Sequence, residues 1–239
     1  MNLSRFLEID HEVSKSLPSS FLDGSHLYLL LALTHSGLTH AENYKSFEEA
    51  NEIKLLSYLL ENKDIEINVE NIKKMYGVLS SENDAFFRSE NVQIVSGEKF
   101  YVPTSPEKIE VEMQRLCERF NHLNHPKPED FDDIFKFVLR FICIHPFPNG
   151  NGRLSAFLVE LLMVKFGLES ALHLPFDALL NGIYIHRTTQ EIRKASGFFY
   201  DMKEYEYGSY IAYMKELLMK SYALLLQTSK QAKLLGTSH

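Results

Sequence analysis

The stretch His145-Pro146-Phe147-Pro148-Asn149-Gly150-Asn151-Gly152-Arg153 gathers a base, amides, glycines and a guanidinium into one short segment. An imidazole titrates near neutral pH, so His145 can take a proton from a hydroxyl. Gly150 and Gly152 can adopt the positive φ values that a compact nest of backbone N–H groups needs. Such a nest at a helix N-terminus suits an anion, and the natural guest is a phosphate. Arg153 adds a permanently charged fork that grips phosphate oxygens in pairs. The amides of Asn149 and Asn151 can orient phosphate oxygens or a metal-bound water. A Gly-Asn-Gly run alone is commonly a turn, and a His beside a Pro is commonly structural. Their combination in one loop points to transfer of a phosphate-containing group onto a hydroxyl.

Two helices must hold that loop. From Asp130 to Ile144 the apolar residues fall at 131, 134, 135, 138, 141 and 142, a helical spacing. Pro146 and Pro148 cannot continue that helix, because proline lacks the N–H and clashes with the preceding turn. From Leu154 to Phe166 the chain is apolar almost all round, and Gly167 stops it. The spacing therefore predicts a tight loop between two helices, the second central and buried, with Arg153 on its first turn.

With those residues in view, the stretch resembles the signature of the Fic family, His-x-Phe-x-(Asp/Glu)-Gly-Asn-Gly-Arg-x-x-Arg. Most members of that family move the AMP of ATP onto a Tyr, Thr or Ser of a target protein. Others move UMP, phosphocholine or phosphate. The resemblance implies that His145 deprotonates the target hydroxyl and that Phe147 anchors the loop in the core. It also implies that Gly150, Asn151 and Gly152 hold the α- and β-phosphates and that Arg153 binds the β-phosphate. Two positions depart from the pattern. Asn149 stands where an acidic residue usually binds Mg²⁺, and an uncharged amide oxygen is a weaker ligand for a hard cation. Ala156 stands where the last Arg of the signature holds the γ-phosphate.

Elsewhere the chain reads as helices with one interruption. Ser25 to Glu42 has helical apolar spacing, and Asn43 suits a left-handed end. Ser46 and Glu49 form a capping-box pattern for a helix to about Glu61. By resemblance, Thr39-His40-Ala41-Glu42-Asn43 is similar to the end of the family's inhibitory motif, which makes Glu42 the inhibitory glutamate. Asn68 reads as the N-cap of a helix through Leu79. Alternation at Val92, Ile94, Phe100 and Val102 around Ser96-Gly97 predicts a hairpin. The family counterpart is the flap that pairs with the target's backbone, recognition by strand addition. The run Phe-Arg to Tyr-Val-Pro that contains Arg88, Tyr101 and Pro103 also resembles the family. Ser105-Pro106 starts a helix to about Asn121. A Pro-rich link spans 122–129. A helix carrying His186 and Arg187 follows Pro175. Tyr207 to Leu226 is a long amphipathic helix, and the tail after Gln227 reads as frayed.

Composition narrows the field. At 45% hydrophobic and 24% charged, with net charge −7, the chain is ordinary globular protein without the basic surface nucleic acid would require. No apolar run is long enough to span a bilayer. The first residues, Met1 to Glu8, lack a signal-peptide layout. Cys117 and Cys143 read as buried thiols of a reducing, cytoplasmic compartment. The expected organisation is an N-terminal helical region over 1–62, a Fic core over 63–228 and a tail over 229–239. The expected fold is all-α, a helical bundle around a buried central helix with one small hairpin. The resemblance, over residues 25 to 225, implies a protein AMP transferase using ATP and Mg²⁺. Its partner would be a target hydroxyl docked on the Val92–Val102 hairpin, with homo-oligomerisation left open. The alternatives are another transfer chemistry on the same fold, including AMP removal, and a catalytically faded nucleotide-binding module.

Overall fold

The computed structural model describes residues 2–17, 46–82, 84–96, 99–174 and 204–236. In chain order the helices are α1 (Leu3–Ser16), α2 (Ser46–Glu61), α3 (Val69–Ser80), α4 (Pro106–Arg119), α5 (Asp133–Ile144), α6 (Asn151–Lys165) and α7 (Glu204–Gly236). Strands β1 (Ile94–Ser96) and β2 (Lys99–Tyr101) lie between α3 and α4. Short 3-10 turns occupy Asn121–Asn124, Pro128–Asp132 and Glu169–His173.

Helix α6 is the centre because its sequence leaves it no face to solvate. Every residue from Leu154 to Val164 is buried. Such a helix needs neighbours on all sides. Helices α5 and α3 and the turns at 121–124 and 169–173 supply them. Helix α5 is nearly as enclosed, with Ile134, Phe135, Phe137, Val138, Phe141 and Ile142 at full burial. Each such side chain contributes about 1.5–3 kcal/mol when removed from water.

The caps follow their chemistry. Asn68 accepts from the Asn71 N–H at 2.9 Å and starts α3. Pro106 opens α4 at a position whose N–H has no intrahelical partner. Gly167, at φ 83°, ends the central helix, as its lack of a Cβ allows. The hairpin is antiparallel with Ile94 opposite Tyr101 and Ser96 opposite Lys99, within the predicted 92–102 span.

Several boundaries differ from expectation. Helix α4 ends at Arg119, and the Pro-rich link carries two 3-10 turns. Helix α7 runs to Gly236 where a frayed tail was expected, and Ser229 on it is buried. Helix α1 was not anticipated. Its signal was Phe6, Val13 and Leu17 at helical spacing behind Asn2, which accepts from the Arg5 N–H. The expected helix Ser25–Glu42, with Glu42, and the segment with His186 and Arg187 lie outside the described residues.

A polar knot fastens α1 to the rest. Asp10 is buried, and its Oδ1 accepts from the Ser170 N–H at 3.0 Å, the Ser170 hydroxyl at 2.6 Å and the Tyr222 hydroxyl at 3.1 Å. One carboxylate thus joins α1, the 169–173 turn and α7. Charged hydrogen bonds of this kind contribute about 1.5–3 kcal/mol each, and losing them would leave a buried acceptor unpaired. Glu160 of α6 is fully buried too, and burial pushes its pKa well above the carboxylate range.

His173 gives the fold a measurable acid sensitivity. Burial first, and the nearby Lys63 charge second, push its pKa down to about 4. The unfolded chain therefore binds this proton near pH 6.5 while the native state refuses it until about pH 4. The stability this residue contributes is complete above pH 6.5 and fades as pH falls through that window. At about 1.4 kcal/mol per pKa unit, the loss is on the order of 3 kcal/mol. Urea melts at pH 7 and pH 4 should show wild type losing about that much more than His173→Gln. Equal losses would show that His173 does not titrate differently on folding.

Candidate active site

The site begins where α5 stops. His145 is its C-terminal cap, with φ 52° and ψ 60°, and its N–H donates to the Phe141 carbonyl. A residue with a Cβ takes this left-handed conformation at roughly 1–2 kcal/mol, so its surroundings must hold it there. The turn swings the chain away from the α5 axis, and His145 as a whole is buried, 7% exposed.

Phe147 provides one hold. It is fully buried and stacks on Tyr76 of α3, centroids 3.9 Å apart and planes at 7°. Phe87 and Phe141 pack on it at 5.3 and 6.5 Å. The Phe147 anchor expected from resemblance is therefore where the loop needs it. Asn151 provides a second hold. Its Oδ1 accepts from the Phe147 N–H at 3.0 Å, and its Nδ2 donates to the carbonyls of Phe147 at 2.7 Å and Asn149 at 3.3 Å. The Asn151 amide, which from the sequence could orient phosphate oxygens or a metal-bound water, is here engaged within the loop. Its side chain is buried and closes the loop, because the two prolines leave few backbone donors to do so.

The glycines divide their roles. Gly150 has φ 66° and ψ 0° and caps the N-terminus of α6. A Cβ there would find ordinary contacts to Arg153, Leu79 and Tyr76, so the backbone angle is what demands glycine. Gly152 is helical instead of left-handed, because α6 already begins at Asn151. The anion-binding geometry is thus one left-handed glycine followed directly by a helix N-terminus, whose first N–H groups lack intrahelical partners. Arg153 stands on the first turn, with its side chain 16% exposed.

Asn149 is exposed, and its Oδ1 accepts from the Tyr76 hydroxyl at 3.2 Å. Burial raises the Tyr76 pKa first and the Glu82 charge adds to it, so this phenol stays a donor. The Asn149 oxygen keeps a second lone pair. One neutral oxygen does not make a resident Mg²⁺ site, which asks for several oxygens in octahedral array. Asn149 fits only a cation that arrives on a nucleotide's phosphates. Ala156 is fully buried, so no guanidinium stands at that turn of α6.

A carboxylate that the sequence reading missed completes the site. Glu52 of α2 is buried, with Oε1 3.8 Å from the Arg153 guanidinium. The signal was present, since Glu52 lies on the same helical stripe as Leu55, Leu56 and Leu59. A carboxylate on an apolar stripe needs a partner. Tyr76 was missed for the opposite reason: beside Ile72 and Leu79 it reads as plain core.

Comparisons with known proteins agree with this geometry. The Fic/DOC family profile matches residues 65–163, which include Tyr76, Arg88, the hairpin and the whole loop from His145 to Arg153. A Fido domain-containing protein of Dictyostelium discoideum is 30% identical over 94 residues, covering 39% of this chain and 62% of that protein. The chain thus matches less than two thirds of that relative's length. A Fic domain containing signaling protein from Bacteroides thetaiotaomicron superposes with TM-score 0.61 at 18% identity, covering 96% of this chain and 90% of that one. A Fic family protein from Desulfovibrio desulfuricans gives 0.52 at 15% identity, covering 90% and 74%. These structural likenesses speak to the fold.

A phosphate arriving at Arg153 would compete with Glu52 for its guanidinium. Glu52→Gln keeps the shape and removes the charge. Its expected effect is an approximately tenfold gain in ADP affinity by calorimetry, within the range of one charged hydrogen bond. The apo protein should melt lower at the same time, since a buried pair has been broken. An ADP affinity unchanged from wild type would mean that Glu52 does not contend for Arg153.

Proposed function

We propose, on the premise that this chain belongs to the Fic/DOC family, that it is a protein nucleotidyltransferase moving AMP from ATP onto a Tyr, Thr or Ser hydroxyl. Family members are generally transferases of AMP or related groups. The observation that carries the specific reading is the His145 turn. A proton acceptor caps one helix, and a few residues on, a left-handed glycine and Arg153 open the next.

The chemistry follows from that order. The α- and β-phosphates lie against the N-terminus of α6, where free N–H groups and the helix dipole oppose their charge. Arg153 turns from Glu52 to the β-phosphate. A target hydroxyl is held beside His145 by backbone pairing along the hairpin. The hydroxyl oxygen attacks the α-phosphorus in line. Its proton passes to the imidazole, the bond from the α-phosphorus to the bridging oxygen breaks, and pyrophosphate leaves. Asn149 would offer an uncharged oxygen to a Mg²⁺ arriving on the nucleotide's phosphates, and that cation would offset phosphate charge. The buried thiols of Cys117 and Cys143, the former pushed up to about 12 by burial, fit a reducing cytoplasmic setting.

A second reading has its own observation. Ala156 is buried and uncharged, so nothing at that position selects a triphosphate. A diphosphate-linked donor of another group would meet the same contacts, and the transfer step at His145 would be unchanged.

His145→Ala should lower self-modification from labelled ATP by about 10²–10⁴-fold, read by intact-protein mass spectrometry, with its melting curve retained. A wild-type rate in that variant would remove His145 as the base. Offering nucleoside diphosphate-linked donors beside ATP, and reading the mass added to the protein, separates the two readings of the donor. Asn149→Asp should shift the Mg²⁺ midpoint of activity to lower concentration, because a charged oxygen binds the cation better. Identical midpoints would exclude position 149 as a ligand.

A further inference from the structure

Arg88 is 5% exposed, and its side chain reaches four backbone carbonyls. Nε donates to His145 O at 2.8 Å, Nη1 to Glu90 O at 2.6 Å, and Nη2 to Thr104 O and, at 3.4 Å, to Ile144 O. Its own N–H donates to Pro146 O at 2.9 Å. Three consecutive carbonyls at the end of α5 therefore bond to one residue. These are groups a helix C-terminus leaves without intrahelical donors, and its dipole favours a cation there. The next residue available to help is Pro148, which has no N–H.

The remaining two carbonyls matter as much. Glu90 precedes the hairpin and Thr104 follows it, so the guanidinium ties both legs of β1 and β2 together. The same planar group holds the peptide of His145. Phe87, next in sequence, packs on Phe147 from the same side.

We propose that Arg88 is a positioning residue: it sets the distance and angle between the His145 imidazole and the hairpin edge. This rests on the reading that the hairpin presents the target to His145. A guanidinium suits the task because its donors lie in one rigid plane, and no deprotonation loosens it at neutral pH. Lysine can satisfy part of the carbonyl set but cannot span both elements with fixed geometry. On the proposed reading nucleotide binding belongs to Gly150, Arg153 and the start of α6, whereas the hydrogen bonds of Arg88 run to the backbone of Glu90, Thr104, Ile144, His145 and Pro146. Loss of Arg88 should therefore separate turnover from nucleotide affinity.

The test compares the wild-type chain, Arg88→Lys and Arg88→Met. Three readouts are used: ATP affinity by calorimetry, self-modification rate, and the His145 ring resonances of histidine-labelled protein through a pH titration. Amide exchange over 90–104 is followed alongside. The expected result for Arg88→Met is ATP affinity within about twofold of wild type and a rate lower by about 100-fold, as a misplaced base gives. Its His145 resonances should move and the hairpin amides should exchange faster. Arg88→Lys should recover part of the rate. Unmoved His145 resonances with unchanged hairpin exchange in Arg88→Met would overturn the proposal. So would a loss of ATP affinity parallel to the loss of rate, or failure of both variants to fold, since Arg88 would then serve the fold as a whole. If wild type transfers nothing from any nucleotide, the transferase reading fails while the resonance and exchange measurements still decide on Arg88.

Discussion

A left-handed residue at the end of a buried helix is the constraint on which this structure turns. His145 adopts it at a cost that no neighbour in sequence offsets, because Pro146 lacks an N–H and rules out a continued helix. The compensation comes from elsewhere in the chain. Phe147 is clamped on Tyr76, Asn151 closes the loop from inside, and Arg88 gathers the freed carbonyls. The result is an imidazole-bearing turn held by three attachments, through Tyr76, Asn151 and Arg88. Preorganisation of this kind lets a proton acceptor work without rearranging at the moment of reaction.

The centre of the bundle serves the same end. Helix α6 is buried on every side, so its N-terminus cannot drift, and its first N–H groups are fixed by the core behind them. The buried polar residues are not spread at random. Asp10 joins three elements around the far end of the bundle, while Arg140 donates to the Tyr207 hydroxyl at 3.0 Å and ties α5 to α7. Each polar knot sits where one helix must be registered against another, a task that apolar contact alone does loosely.

Charge is distributed with equal economy at the site. Arg153 is the cation of the loop, and it faces Glu52 from a helix far away in sequence. A buried pair is costly to break on one side only, so Glu52 holds the guanidinium in place. Ligand affinity then depends on a difference: phosphate against carboxylate, for the same fork. The chain's net charge of −7 adds nothing to attract an anion, which leaves the local dipole and Arg153 to do so.

Much of this was legible without coordinates. The two prolines, Gly150 and the apolar runs on either side already place a sharp loop between two buried helices, because proline and periodicity act locally. Asn68, Ser105-Pro106 and Gly167 mark their helix ends for the same reason. The loop's chemistry could be named as well, since base, glycine and cation lie within one short segment. What only the tertiary structure decided are contacts between distant residues. That Asn151 turns inward follows from the lack of donors around Phe147. That Glu52 meets Arg153 depends on how α2 packs. That Arg88 reaches past the hairpin to the His145 carbonyl depends on where β1 and β2 lie. Local sequence sets backbone preference over a few residues, but a buried charge finds its partner through packing, and no spacing rule carries across 57 residues from Arg88 to His145.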